Sequence, residues 1–150
     1  MAGHILLSLC KAVVALGAAA AGSAAASAAS VEIAADPRGH FVTMAEIEHA
    51  SLKVIVDTGA SFVALSYEDA EEAGLRPRNL TFDVTISTAN GQVEAARVML
   101  ARVEIGNLLV RDVEAIVLPK GAFDGTLLGM SFLNKLSRFA VEHGRLQLRD

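Results

Sequence analysis

One carboxylate stands where an apolar run breaks. Leu52-Lys53-Val54-Ile55-Val56 delivers Asp57 into Thr58-Gly59-Ala60-Ser61, and a second apolar run, Phe62-Val63-Ala64-Leu65, follows at once. An ionised group at the end of a half-buried strand is costly out of water unless it is paired or put to use. Gly59 permits a tight turn, and the Thr58 hydroxyl can hold that turn by hydrogen bonds to neighbouring main chain. The chemistry open to such a carboxylate is proton transfer, as base when ionised or as acid when neutral. A surface β-turn that begins with Asp spells the same letters, so the surroundings must decide.

Other reactive residues form weaker patterns. Gly129-Met130-Ser131-Phe132-Leu133 approaches the elbow that exposes a nucleophilic serine, but Leu133 stands where glycine is required. His40, His49 and His143 are dispersed and His4 lies near the start, with no pair at ligand spacing. No metal site and no cofactor are expected. Gly17 to Ser23 has phosphate-loop spacing without the lysine, and is discarded.

The chain that must position Asp57 has 150 residues, enough for a single modest core. Net charge is −4, and Lys and Arg are scattered rather than clustered, which argues against nucleic acid as a partner. Residues 1–30 have the character of a targeting segment, and residues 31–150 that of the folded domain. Met1 to Lys11 carries a weak positive end, Ala12 to Gly22 is apolar, and small residues run through Ser30. Ala24-Ala25-Ala26 and Ala26-Ser27-Ala28 fit a small-x-small cleavage pattern. A cleaved signal peptide or, failing cleavage, an amino-terminal anchor is expected, placing the domain outside the cytoplasm. Cleavage would remove Cys10, the single cysteine, and with it any thiol chemistry.

Strand signals dominate the rest. Phe41–Ile47 and Leu52–Val56 form a hairpin about His49-Ala50-Ser51, after a short strand at Val31–Ile33. Ser66 begins a short helix over Tyr67–Ala73, with Asp69 at the capping-box position and Glu68, Asp69, Glu71 and Glu72 on a solvated face. Phe82–Thr88 and Val93–Ile105 flank Asn90-Gly91, the strongest short hairpin signal present. Leu108–Leu118 is a further strand, Met130–Leu136 a second short helix, and Phe139–Glu142 with Arg145–Leu148 a closing hairpin about His143-Gly144. Asn79-Leu80-Thr81 spells a glycosylation acceptor. The class is all-β, mainly antiparallel, with one or two short helices.

The order of these parts, from about Gly39 to Leu148, resembles retropepsin-like aspartic proteases, in particular single-domain bacterial members with an amino-terminal signal or anchor. Asp57-Thr58-Gly59-Ala60 matches the family's catalytic turn. The hairpin at Ala89-Asn90-Gly91 stands where the family has its flap. Leu127-Leu128-Gly129 before a short helix matches the apolar-apolar-Gly element that packs beside the catalytic loop. Two departures stand out. Viral members carry an acidic residue four places after the catalytic Asp and an Arg after the Leu-Leu-Gly glycine, which pair; here those positions are Ser61 and Met130. Ala60 stands where pepsin-like members have a hydroxyl beside the carboxylate.

The resemblance implies a small acid-protease barrel and peptide-bond hydrolysis by two carboxylates sharing a proton, one ionised to activate water and one protonated to polarise the scissile carbonyl. The sequence holds one Asp-Thr-Gly, so a two-fold homodimer must contribute Asp57 twice. On this reading Thr58 holds the loops across the axis, and Gly59 and Ala60 bring main chain close to an extended protein or peptide substrate. Ala89, Asn90 and Gly91 tip a closing flap. Phe62, Leu127 and Met130 are candidates for lining side-chain pockets. The alternative is a secreted or anchored β-domain that binds extended peptides without cutting them.

Overall fold

The computed structural model describes residues 28–150. Residues 1–27 of the targeting segment, with Cys10, the phosphate-loop spacing and all of the cleavage patterns but Ala28, lie outside the described residues.

Alternation of apolar and polar side chains sets the first hairpin. Strands β1 (Ser30–Ala34), β2 (Phe41–Ile47) and β3 (Ala50–Val56) open the order, with β2 and β3 paired from Phe41↔Val56 to Ile47↔Ala50. Leu52, Val54 and Val56 are buried while Ser51 and Lys53 face solvent, as a strand with one face on a core requires. The turn is Glu48-His49, one residue earlier than expected. The Ile47↔Ala50 pair closes the hairpin there, Glu48 adopts the left-handed conformation (φ 55°) that the two-residue turn needs, and its N–H donates to the Arg102 carbonyl of a later strand.

Next come β4 (Val63–Leu65) and helix α1 (Tyr67–Glu72). The Ser66 hydroxyl caps α1, accepting from the Asp69 N–H at 3.1 Å. The reciprocal half of the capping box is not made. Ser66 N–H donates to the Gly125 carbonyl instead, and the Asp69 carboxylate turns inward to accept from the buried Thr126 hydroxyl at 2.6 Å. Asp69 therefore leaves the solvated acidic face expected of it, and ties α1 to the strand that follows Gly125.

That strand is β8 (Thr126–Leu128), and it completes the architecture. β5 (Val84–Thr88), β6 (Gly91–Ile105) and β7 (Leu108–Val117) precede it, and α2 (Met130–Leu133) follows, one turn where Met130–Leu136 was expected. β3 pairs in parallel with β8, β8 antiparallel with β4, β4 in parallel with β7, and β7 antiparallel with β6. β6 returns to β2 through Glu46↔Glu104 and Ile47↔Val103. Six strands thus close a barrel, and β5 extends beyond it, paired only with β6. Val54, Leu65, Leu100, Leu108, Leu128 and Phe132 are fully buried inside, each worth about 1.5–3 kcal/mol of transfer from water.

A second sheet, ordered β1–β10–β9, uses the hairpin of β9 (Arg138–Glu142) and β10 (Arg145–Arg149). His143 (φ 51°) and Gly144 (φ 73°) make its two-residue turn. Ile33, Leu146 and Leu148 carry this sheet into the main core. The result is the mainly antiparallel barrel with two short helices that the sequence implied. Among the described residues no helix is long and apolar enough to cross a membrane.

Candidate active site

Asp57 follows directly from β3, the barrel strand whose parallel partner is β8. Its N–H donates to the Leu128 carbonyl at 3.0 Å, so the β8 main chain fixes where the turn begins. Its Oδ1 accepts from the Gly59 N–H at 2.8 Å, and its carbonyl accepts from the Ala60 N–H. The carboxylate is thus oriented by its own loop and remains half-buried, while Thr58 and Gly59 are exposed.

The apolar-apolar-Gly element lies against this loop for a steric reason. A Cβ on Gly129 would stand 2.2 Å from the Phe62 carbonyl oxygen and 2.5 Å from that of Ala60, both main-chain atoms. Only glycine permits the approach. Two backbone hydrogen bonds then join the segments, Met130 N–H to Ala60 O at 2.8 Å and Ser131 N–H to Ser61 O at 3.0 Å.

Ser131, which resembled a nucleophile in the sequence, is a strut. Its hydroxyl donates to the Glu114 carbonyl at 2.6 Å and accepts from the Val63 N–H at 2.9 Å, bridging β7 to the start of β4. Ser131→Ala leaves both groups short of a partner, so a stability loss of about 2 kcal/mol is expected in denaturant unfolding. Peptide cleavage should survive that change, whereas a nucleophile would lose it entirely.

A cleft of about 670 Å³ opens above the loop. Asp57, Gly59 and Ala60 form one side, and Ile86 through Asn90 of the β5–β6 hairpin form another. Phe62, Leu127, Ile116, Leu118 and Phe123 supply apolar walls. Phe62 is backed from outside by the Arg97 guanidinium, 5.6 Å from its ring centroid, which also pairs with Glu114 at 2.9 Å. Asp57 is the one ionisable residue among those lining the cleft.

The expected site residues distribute unevenly around it. Ala89 and Asn90 line the cleft and Gly91 does not. Thr88 pairs with Gly91, which makes Ala89-Asn90 the turn in place of Asn90-Gly91. The Thr88 hydroxyl accepts from the Asn90 N–H and donates to the Gly91 carbonyl, pulling the turn back by one residue, and Gly91 (φ 116°) opens β6. Phe62 and Leu127 face the cleft, whereas Met130 packs against the core. Ile86, Ile116, Leu118 and Phe123 carried no motif; Ile86 and Ile116 sit in strands, whereas Leu118 and Phe123 lie in the connection between β7 and β8, which has no period to signal them. Among the described residues no three His, Cys, Asp or Glu side chains converge as metal ligands would.

Comparison with known proteins bears on this geometry. The family described as gag-polyprotein putative aspartyl protease matches residues 43–135, from β2 to just past α2. The crystal structure of a retropepsin-like aspartic protease from Rickettsia conorii superposes with a TM-score of 0.73 at 34% identity, covering 81% of this chain and 91% of that one. The chain belongs to the retropepsin-like aspartic protease family. EIAV protease in complex with an inhibitor shares the fold, with a TM-score of 0.56 at 20% identity over 69% of this chain and 93% of that one. An uncharacterised protein in the cobV 5′ region of Sinorhizobium sp. is 49% identical over 112 residues, 75% of this chain and 48% of that protein. An uncharacterised protein of Rickettsia prowazekii is 37% identical over 116 residues, 77% of this chain and 49% of that protein. The chain spans about half the length of the curated relatives it matches. In this retropepsin-like chain the acid–arginine pair of viral members has no counterpart at Ser61 and Met130, and main-chain hydrogen bonds to Ala60 and Ser61 join the same two loops.

Proposed function

We propose that this protein is an aspartic endopeptidase whose active unit is a two-fold dimer holding Asp57 and Asp57 of the partner subunit around one water. The observation that carries the reading is a single oriented carboxylate on the floor of a largely apolar cleft, beneath a hairpin. One carboxylate cannot be base and acid in the same step, and two held close together cannot both ionise easily, so they share a proton. The ionised member takes a proton from water as its oxygen attacks the scissile carbonyl carbon. The neutral member donates to the carbonyl oxygen, and the tetrahedral intermediate collapses as the amine leaves with a proton.

Thr58 and Gly59, exposed in the single chain, face the partner loop and the substrate main chain on this reading. Ala89, Asn90 and Gly91 close over an extended peptide that lies between hairpin and loop as an added strand. Leu127, Leu128 and Gly129 hold the loop from below. The character of residues 1–30 supports export, with the enzyme acting on periplasmic proteins or peptides, released or anchored.

The direct test is stoichiometry. An inhibitor that mimics the tetrahedral intermediate, of the pepstatin kind, is expected to titrate at one molecule per two chains by calorimetry. One molecule per chain would contradict the shared site.

A further inference from the structure

A carboxylate pair that works in acid needs something to keep one member ionised. Among the described residues the Asp57 carboxylate accepts a single hydrogen bond, from the Gly59 N–H, and Ala60 has no hydroxyl to add another. The β2–β3 register sets a second titratable group beside it. Phe41 pairs with Val56, so the next step along both strands brings His40 alongside Asp57. Counted from the Ile47↔Ala50 pair that closes the turn, Phe41↔Val56 is a hydrogen-bonded step and the one beyond it is not. The main-chain groups obey that alternation. Asp57 N–H turns away to the Leu128 carbonyl of β8, while His40 N–H donates to Asp36 Oδ1 and the His40 carbonyl accepts from the Asp36 N–H. At such a step the opposed side chains share a face and stand about 5 Å apart at Cβ. Val56 points into the barrel, so this face points out of it, toward the cleft that Asp57 lines.

The charged neighbours of His40 favour a cation there. Its Nδ1 stands 3.8 Å from Asp36 Oδ2, and the exposed Arg38 reaches the same carboxylate at 3.7 Å. Hydrogen bonding from the His40 N–H, then from that of Arg38, holds the Asp36 carboxyl below its usual range, so Asp36 stays negative in mild acid. The β9–β10 turn comes alongside through the bond from Ala35 N–H to the Gly144 carbonyl. Of the charged groups at that turn, Arg145 pairs with Glu32 and Glu142 with Arg138, and His143 is exposed. His40 itself is not among the residues that line the cleft, so its reach to the chemistry is through its field on Asp57.

We infer that His40 is a positioning residue that acts through Asp57: its imidazolium, one cross-strand step away, favours the ionised member of the shared pair and carries cleavage further into acid. The inference rests on the shared-carboxylate reading and adds the group that tunes it. Two-fold symmetry gives each carboxylate its own His40, so the pair is flanked by one cation on either side.

The pH dependence of kcat/KM, measured on the full chain, tests it. Imidazole is cationic in mild acid, so losing that charge in His40→Gln should move the acid limb up by about half a pH unit, and reversing it in His40→Glu by about a full unit. His40→Lys keeps a cation and should leave the acid limb where the wild type has it. The side chain is 52% exposed, so the difference between wild type and His40→Gln should shrink at about 1 M salt, where screening acts over a few ångström. A purely structural role would lower the rate at every pH and would not sort the variants by charge. Acid limbs that coincide in wild type, His40→Gln and His40→Glu, or a His40→Lys limb that follows His40→Gln, would overturn the role of His40 and leave a shared Asp57 site intact. A wild-type chain that cleaves as a monomer would instead sink the shared site itself.

Discussion

Asp57→Asn is expected to fold as the wild type does and to lose at least about a thousandfold in cleavage rate, the range spanned by a general acid–base pair. The side-chain change is nearly isosteric. Asn retains an oxygen that can accept from the Gly59 N–H at the position where Oδ1 now does so at 2.8 Å, so the loop keeps its shape. What disappears is the ability to hold or release a proton. Asp57→Ala should lose as much activity and, by releasing Gly59 N–H, a little stability as well. A mixing experiment sharpens the result. On the proposed reading, in which each active unit draws one carboxylate from each chain, excess Asp57→Asn protein should suppress wild-type cleavage as the subunits exchange. Cleavage of a denatured protein mixture at mildly acidic pH, followed as the variant is titrated in, is the measurement. Activity that survives in pure Asp57→Ala protein would end the protease reading.

Gly129→Ala should have the largest effect on stability of any single methyl group added near the site. The new Cβ would stand 2.2 Å and 2.5 Å from two carbonyl oxygens, and neither belongs to a side chain that can swing aside. Relief requires the loop carrying Phe62 and Ala60 to withdraw, which breaks the Met130–Ala60 and Ser131–Ser61 hydrogen bonds. Overpacking together with two lost main-chain bonds amounts to about 3–5 kcal/mol, a large share of the stability of a small domain. A fall in Tm of about 15 °C is expected by calorimetry. Gly59→Ala is the informative contrast. Its Cβ would meet only the Asp57 carboxylate, at 3.1 Å, and a side chain can turn. That variant should keep most of its stability and lose activity, because the group that turns is the reactive one. Equal Tm losses in the two variants would show that the distinction between main-chain and side-chain obstruction does not hold here.

The long hairpins were legible in the sequence because alternation over five or more residues leaves little choice of face, as Leu52, Val54 and Val56 illustrate. The Asp57 turn was legible because a carboxylate interrupts two apolar runs. The parallel pairings β3–β8 and β4–β7 were not. Val63-Ala64-Leu65 and Thr126-Leu127-Leu128 are three-residue strands, too short for any period to register, and their partners lie far away in sequence. The turn at Asn90-Gly91 slipped by one because a hydroxyl two residues upstream outcompeted a dipeptide preference. Ser131 shows the same limit from the other side. Its sequence neighbours suggested reactivity, while the two main-chain groups that occupy its hydroxyl come from residues 17 and 68 positions away.

Strand β6 runs unbroken for 15 residues, on the order of 50 Å. Its first five residues pair with β5 beside the cleft, and from Ala96 onward it is stitched into the barrel, ending at the β2 seam. Ala95 and Ala96, both fully enclosed, mark the handover. Mechanically the hairpin is a cantilever with its root built into the wall. A load at the tip is borne as bending over the free length, so the stiffness of those few residues sets how readily the cleft can be covered.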